Sequence, residues 1–282
     1  MNFSNMILLI PPNDAEAILI SKLAEAIGLP MIRSNQQHGA TLELEPNIVS
    51  RIKRTGCKEI IIVELPGMKT EEKIKKLGVK LTIIDHHHYT NLDRAHAANG
   101  KLLASSLEQF LKRFRLTDTR LDKLGFDPLL VRGIGILDRG FVWALLAQGY
   151  SKRQVEHVLA YHDELTSVLH DQKTEVRKNT WALDAWEKRK VWNGYFIVES
   201  NKDFSLRPRL SRIVAVEFGK PTPLIIIEKK RKLIYVQESP HAMKLFETFG
   251  GFTFGLDHNW GYHNEAGKKR VGLKEVKEAL YA

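Results

Sequence analysis

The sequence predicts an α/β protein. A mostly parallel, doubly wound sheet covers residues 1–150, a helical connector covers 151–190, and a smaller α/β domain covers 191–282. Three observations predict this. Short β-branched apolar runs alternate with helical stretches from the N-terminus to Ile84. After the histidines the chain turns helical: 102–114 carries apolar side chains at helical spacing, 129–146 is apolar, and 151–186 is helical in pattern and strongly polar. From Val191 the pattern returns to short strands, helices and glycine-rich turns.

Met6–Ile10 is an apolar run stopped by Pro11-Pro12. Asn13 or Asp14 caps a helix over 15–27, which Gly28 and Pro30 end. Met31–Arg33 reads as a short second strand, and 36–39, including His38, as a loop. Residues 46–55 form a short amphipathic helix ended by Gly56. Lys58–Val63 is the clearest strand and runs into the turn Glu64-Leu65-Pro66-Gly67. A charged surface helix over 69–77 ends at Gly78. Val79–Ile84 is apolar and too short for a helix, as a buried parallel strand is.

Asp85-His86-His87-His88 follows directly. Ligands of open α/β sheets gather beyond the C-terminal ends of the strands. A carboxylate beside neutral imidazoles offers donors that Mn, Zn or Fe accept. Further on, residues 129–146 are apolar, with Gly133, Gly135 and Gly140 marking close helix packing. Asp138-Arg139 lies inside that stretch, where a buried acid needs a cation or metal, unless Asp138 caps a helix. Ser151 caps the helical segment that runs to Trp186. His157, His162 and His170 within it do not share one helix face and read as surface or packing residues.

In the last third, Tyr195–Val198 is a strand and 210–218 a helix. The runs 224–228 and 233–237 flank Lys229-Lys230-Arg231-Lys232 as a hairpin with a basic turn. Residues 241–249 form a short helix, Gly250, Gly251, Gly255 and Gly261 make a flexible segment, and 273–280 closes as a helix.

Composition bounds the function. Hydrophobic residues are 43% and charged residues 27% of 282, enough for a full core. The net charge of +10 favours anionic partners such as nucleotides or nucleic acid. The single cysteine, Cys57, excludes an internal disulfide and a cysteine-rich zinc site, and fits a reducing, cytoplasmic setting. The N-terminus reads as a first strand rather than a signal peptide, and no run reaches transmembrane length, so no membrane partner is expected.

Acids at strand ends or turns occur in order: Asp14 and Glu16, Glu64, Asp85 with His86 and His87, then Asp138. In a parallel sheet these ends converge on one edge, a setting for Mn²⁺ or Mg²⁺ that activates water and binds phosphoryl oxygens. With Ile83-Ile84-Asp85-His86-His87 as its most specific element, the chain resembles the DHH phosphoesterase superfamily over most of its length. That superfamily includes RecJ-type exonucleases, oligoribonucleases, cyclic-di-AMP phosphodiesterases and type-II pyrophosphatases. Gly261-Tyr262-His263-Asn264-Glu265-Ala266-Gly267 resembles the glycine-rich signature of its accessory substrate domain, with Tyr262 in place of a glycine and one residue fewer.

The resemblance implies metal ligands at Asp14, Glu16, Glu64, His86 and Asp138. It implies catalytic roles for Asp85 and His87, and substrate contacts at His87, Arg139, Gly261, His263 and Gly267. The chain departs from the family pattern at Ile10 to Pro12, which cannot bind metal, and at Glu16, Glu64 and Glu238. These departures imply one Mn²⁺ (or Mg²⁺) ion rather than two. The implied function is metal-dependent hydrolysis of phosphoesters in nucleotides or short single-stranded nucleic acid, and a homodimer is compatible with it. The alternative is a catalytically impaired protein of the same fold that binds nucleotide or nucleic acid in a regulatory role. The basic runs 229–232 and 268–270 read as solvated turns or tails rather than a nucleic-acid surface, and most tryptophans as packing residues, with Trp260 the one candidate for a base platform.

Overall fold

A computed structural model describes the chain except Met1, Asn2, His38, Thr90, His170, Leu256, Ala266, Lys268, Ala282 and the side chain of Gln172. The expectations for His38, His170, Ala266 and Lys268 therefore lie outside the described residues. The chain folds as an α/β protein with a parallel sheet and a larger mixed sheet. It forms two compact units. One comprises Met1–His86, Ala95–Asp138 and Leu145–Leu169, and the other His87–Arg94, Arg139–Ala144 and His170–Ala282. The segment expected to connect two domains is helical and shared between the units.

The first unit is built on β1 (Met6–Ile10), β2 (Met31–Arg33), β3 (Glu59–Val63) and β4 (Lys80–Ile84), all parallel in the order β2-β1-β3-β4. Helices α1 (Ala15–Ala26), α2 (Ile48–Thr55) and α3 (Met68–Lys75) connect them. Ile60, Ile61, Ile62 and Val63 are fully buried, which is why this strand reads as an unbroken aliphatic run. Strand order reverses between β1 and β3, so the crevice for a ligand opens at their C-terminal ends.

Local chemistry sets the elements around that crevice. Asp14 caps α1, its carboxylate accepting from the Ala17 amide at 2.8 Å. Val63 and Ile84 are register partners, so β3 and β4 end side by side. Glu64 then turns off β3 with φ +50° while its amide donates to the Ile84 carbonyl at 3.1 Å.

Helices α4 (Ser106–Phe114), α5 (Asp118–Lys123), α6 (Pro128–Ala147) and α7 (Lys152–Thr166) follow. Ser105 and Glu108 form a reciprocal capping box on α4, and Ser151 and Gln154 form one on α7. A Cβ on Gly135 would lie 2.6 Å from Ser105 Oγ, so only glycine lets α6 approach the start of α4 this closely. Helical geometry in α6 breaks at Gly140 and Phe141, the latter at φ +58° and ψ −157°. Asp138 lies within the helix just before this break, so it is not an N-cap.

The second unit carries an eight-stranded sheet. Its strands are β5 (His88–Tyr89), β6 (Leu92–Asp93), β7 (Lys190–Trp192), β8 (Tyr195–Ser200), β9 (Leu224–Glu228), β10 (Leu233–Gln237), β11 (Phe252–Phe254) and β12 (Asn259–His263). Their order is β6-β5-β11-β12-β10-β9-β8-β7, with β8–β9 the parallel pair. Helices α8 (Gln172–Glu187), α9 (Arg207–Phe218), α10 (Ala242–Phe249) and α11 (Leu273–Tyr281) complete it. Residue alternation sorts the two faces. Ile225, Ile234, Val236 and Trp260 pack with Leu245 and Val276, whereas Leu224, Ile226 and Tyr235 pack with Leu210 and Trp186.

Two sequence expectations are corrected in this unit. The glycine-rich stretch after Gly250 is not a flexible segment, because β11 and β12 pair antiparallel through it. Trp260 is not a base platform. It is 0% exposed, its Nε1 donates to the Gly250 carbonyl at 2.8 Å, and its ring lies against Tyr262.

Candidate metal centre

Four side chains meet at the C-terminal edge of the parallel sheet. Glu16 comes from the first turn of α1, Glu64 from the residue after β3, His86 from just beyond β4, and Asp138 from α6. One donor atom from each lies within 4.8 Å of the other three. His86 Nε2 is 2.9 Å from Asp138 Oδ2, 3.4 Å from Glu64 Oε1 and 3.7 Å from Glu16 Oε2.

Burial makes this cluster electrostatically costly. Glu16 is 1% exposed. Its Oε1 accepts from the Leu107 amide in the first turn of α4 at 2.9 Å, where the helix N-terminus favours negative charge. Its Oε2 is buried and accepts no hydrogen bond among the described residues. Burial raises the Glu16 pKa well above the carboxylate range, and the charges of Asp138 and Glu64 add to the rise against the opposing pull of His86 and the Leu107 amide. For His86, burial alone favours the neutral ring. The surrounding carboxylates of Asp138, Glu64 and Glu16 outweigh it, and hold the pKa well above the usual histidine range. Three carboxylates gathered on one imidazolium form a set in which a divalent cation can replace the proton.

The donors fit such an ion. Carboxylate oxygens with one imidazole nitrogen suit Mn²⁺ or Mg²⁺ better than a soft metal. The buried Glu16 Oε2 points to the same conclusion, since a buried carboxylate oxygen is retained when a cation or donor satisfies it.

Asp14, Asp85, His87 and Arg139 are the other residues expected here. Asp14 is not one of the four, and its Oδ1 accepts from the Ala17 amide as the α1 cap. Asp85 is also outside the four. It is 3% exposed, its Oδ1 accepts from the His86 amide at 2.8 Å, and its carbonyl accepts from Gln109 Nε2 at 2.8 Å. Asp85 therefore fixes the backbone that presents His86. His87 and Arg139 directly follow His86 and Asp138 in the chain and belong to the second unit. There the His87 ring lies 5.8 Å from Tyr89.

Of the glycine-rich signature, Gly261 sits inside β12 opposite Tyr235 and Phe252, and a Cβ there would come within 2.5 Å of the Phe252 ring. His263 is exposed at the strand end with Nδ1 3.3 Å from Glu265 Oε1, and Gly267 is an exposed turn residue at φ +85°. Sequence reasoning missed Gln109 and the Leu107 amide. The capping pattern Ser105-Ser106-Leu107-Glu108 is the one sequence signal that marks a helix start there.

No protein-family model matches the chain, and no curated protein matches it. Among solved structures, it is similar to exonuclease RecJ bound to manganese, at 12% identity over 98% of this chain and 88% of that one, TM-score 0.46. It is similar to the pGpG-specific phosphodiesterase PggH from Vibrio cholerae, at 12% identity over 98% and 97%, TM-score 0.41. RecJ in complex with Mg²⁺ from Thermus thermophilus is matched at 12% identity and TM-score 0.45, over 98% of this chain and 48% of that one. No helix among the described residues is long and apolar enough to cross a membrane.

Proposed function

We propose that the protein is a metal-dependent phosphoesterase of the DHH type, acting on nucleotides or short single-stranded nucleic acid with one Mn²⁺ or Mg²⁺ ion. The observation that carries this is the convergence of Glu16, Glu64, His86 and Asp138, with donor atoms within 4.8 Å of one another at a topological switch point. The resemblance of Ile83–His87 to the DHH signature supplies the reaction class.

Glu16, Glu64, His86 and Asp138 would hold the ion. When bound, it supplies Lewis acidity and a lowered pKa for water at a phosphoryl centre. The protein's own groups do the rest. Leu107 N–H orients Glu16, Asp85 orients the His86 backbone, and Gln109 anchors Asp85. For His87 and Arg139, next in chain to two of these residues, the family resemblance implies substrate contacts.

A second reading, a nucleotide-binding protein without turnover, draws on two facts. Ile10 and Pro11 are buried where the family pattern places a further ligand, and Asp14 is committed to a helix cap. Metal analysis and turnover separate the two. Calorimetry with Mn²⁺ should give one ion per chain, and Mn²⁺-dependent release of nitrophenol from bis-nitrophenyl phosphate should follow. Stoichiometric Mn²⁺ without turnover on that ester, phosphoadenosine phosphate, short RNA or cyclic di-AMP supports the second reading. No Mn²⁺ uptake at all refutes both the site and the reaction.

A further inference from the structure

Helix α4 gives no donor to the four-residue cluster, yet its start meets three of the four segments that do. The Leu107 amide holds Glu16 Oε1 at 2.9 Å. Gln109 Nε2 donates to the Asp85 carbonyl at 2.8 Å and to the Ala104 carbonyl at 2.8 Å. Gly135, one turn before Asp138 in α6, lies where a Cβ would stand 2.6 Å from Ser105 Oγ and 3.6 Å from Leu107 Cβ. The reciprocal cap of Ser105 and Glu108, with bonds of 3.2 and 3.0 Å, holds the turn in shape.

Gln109 is the member of this turn that reaches the histidine. The Asp85–His86 peptide is a planar unit, and both of its polar ends are tied. Its carbonyl accepts from Gln109, and its N–H donates to Asp85 Oδ1 at 2.8 Å. With both ends held, the plane that leads into His86 is fixed, and the imidazole departs from a fixed base. The chemistry suits glutamine. One amide nitrogen carries two coplanar hydrogens, enough for two carbonyls at once. Both neighbours are carbonyl oxygens, so the nitrogen rather than the amide oxygen faces them. The bond to Ala104 ties that nitrogen to the residue entering the α4 cap. The peptide before His86 and the amide that holds Glu16 therefore share one frame.

We propose that Gln109 is a positioning residue of the metal centre. Without touching the ion, it locks the Asp85–His86 peptide to the start of α4, the turn that also holds Glu16 and abuts α6, and so sets the spacing of Glu16, His86 and Asp138. The proposal rests on the assignment of Glu16, Glu64, His86 and Asp138 as the ligand set. His86 Nε2 stands 3.7 Å from Glu16 Oε2 and 2.9 Å from Asp138 Oδ2. An ion held among these atoms tolerates errors of about half an ångström, less than the play of a peptide freed at one end.

The test is Mn²⁺ calorimetry and Mn²⁺ EPR on the full chain, each beside a melt in EDTA. Gln109→Met keeps the volume of the side chain and removes both donors. It should weaken Mn²⁺ binding by about 10–100-fold and change the EPR line shape of the bound ion at saturation. Phe114→Leu is the control for stability alone. It thins the far end of α4, where Phe114 is buried against Phe3 and Phe110, so it should lower Tm yet leave Mn²⁺ affinity within about threefold and the line shape unchanged. Gln109→Asn keeps the amide one methylene short and should lose affinity in the same direction, which gives a reading if Gln109→Met does not fold. Wild-type affinity and line shape in a folded Gln109→Met or Gln109→Asn overturn the positioning role. So does a Phe114→Leu variant that loses as much affinity as Gln109→Met, because the effect would then be stability alone. These results leave the ligand assignment standing, whereas no Mn²⁺ uptake by the wild type refutes the ligand set itself and the proposal with it.

Discussion

Glu16→Gln should move stability in opposite directions with and without metal. The substitution keeps an acceptor for the Leu107 amide, which lies 2.9 Å from Glu16 Oε1, and removes one negative charge from a buried cluster. Without metal, Glu16 faces the carboxylates of Glu64 and Asp138, whose donor atoms lie within 4.8 Å. At that distance and an effective dielectric near 20, each like-charged pair costs about 3 kcal/mol. Proton uptake by the cluster caps this cost, so the metal-free variant should gain about 1–2 kcal/mol, or about 2–8 °C in Tm.

With Mn²⁺ the sign reverses. Saturation at a hundred times Kd stabilises the wild type by about 2.7 kcal/mol, about 5–10 °C. The variant has lost a charged donor from four and should show little of that shift. Thermal melts of both proteins in EDTA and in Mn²⁺ give a crossing pattern that a purely structural role for Glu16 does not produce. Equal Mn²⁺ shifts in both proteins would refute the ligand assignment. A metal-free variant less stable than wild type would refute the electrostatic reasoning.

Other outcomes follow from the same geometry. Asp138→Asn should weaken Mn²⁺ binding by at least about 10–100-fold, the loss seen for outer-shell partners alone, whereas Asp14→Asn should leave it within about threefold, because Asp14 caps α1 and asparagine caps equally well; calorimetry distinguishes the two. Gly261→Ala should cost about 1–3 kcal/mol in denaturant melts, since the added methyl meets the Phe252 ring at 2.5 Å. Trp260→Ala should cost about 3–5 kcal/mol as a core deletion, and nucleotide addition should leave Trp260 emission unchanged in the wild type. Wild-type stability relative to Glu238→Gln should fall as pH rises. The folded carboxyl titrates near 7 against 4.5, so its favourable term is full below the lower value and lost on passing the upper one. The pKa difference sets a ceiling of about 3 kcal/mol, and partial exposure reduces the expected loss to about 2 kcal/mol.

Legibility in the sequence followed the range of the interactions. Ile60–Val63 is buried on both faces of a parallel sheet, so its aliphatic run states its environment outright. The caps at Asp14 and Ser151 are local hydrogen bonds written in adjacent residues. By contrast, β5 and β11 have two and three residues and exist because Thr253 pairs with His88, far away in sequence. Glycines at 250, 251, 255 and 261 suggested flexibility, yet Gly261 is required by the Phe252 ring pressed against it. Glu238 gave no sign of its left-handed backbone, because Asn259 and the β11–β12 turn impose it from outside.

The same distinction explains which acids of the first turn reach the candidate centre. Asp14 and Glu16 are two residues apart, and the family resemblance implies both as ligands. As the N-cap, Asp14 turns Oδ1 to the Ala17 amide, and it is not among the four clustered donors. Glu16, inside the first turn, is left to face the strand ends, and its extra methylene brings Oε2 to 3.7 Å from His86 Nε2. Glu64 closes to 3.4 Å from the left-handed turn after β3. Glu16 and Glu64 are therefore the glutamates whose length spans the gap to His86. If that is their role, Glu16→Asp and Glu64→Asp, though closer to the family pattern, should each weaken Mn²⁺ binding. A tighter-binding Glu16→Asp would show instead that Asp14 can leave its cap and that the centre accepts the family's ligand geometry.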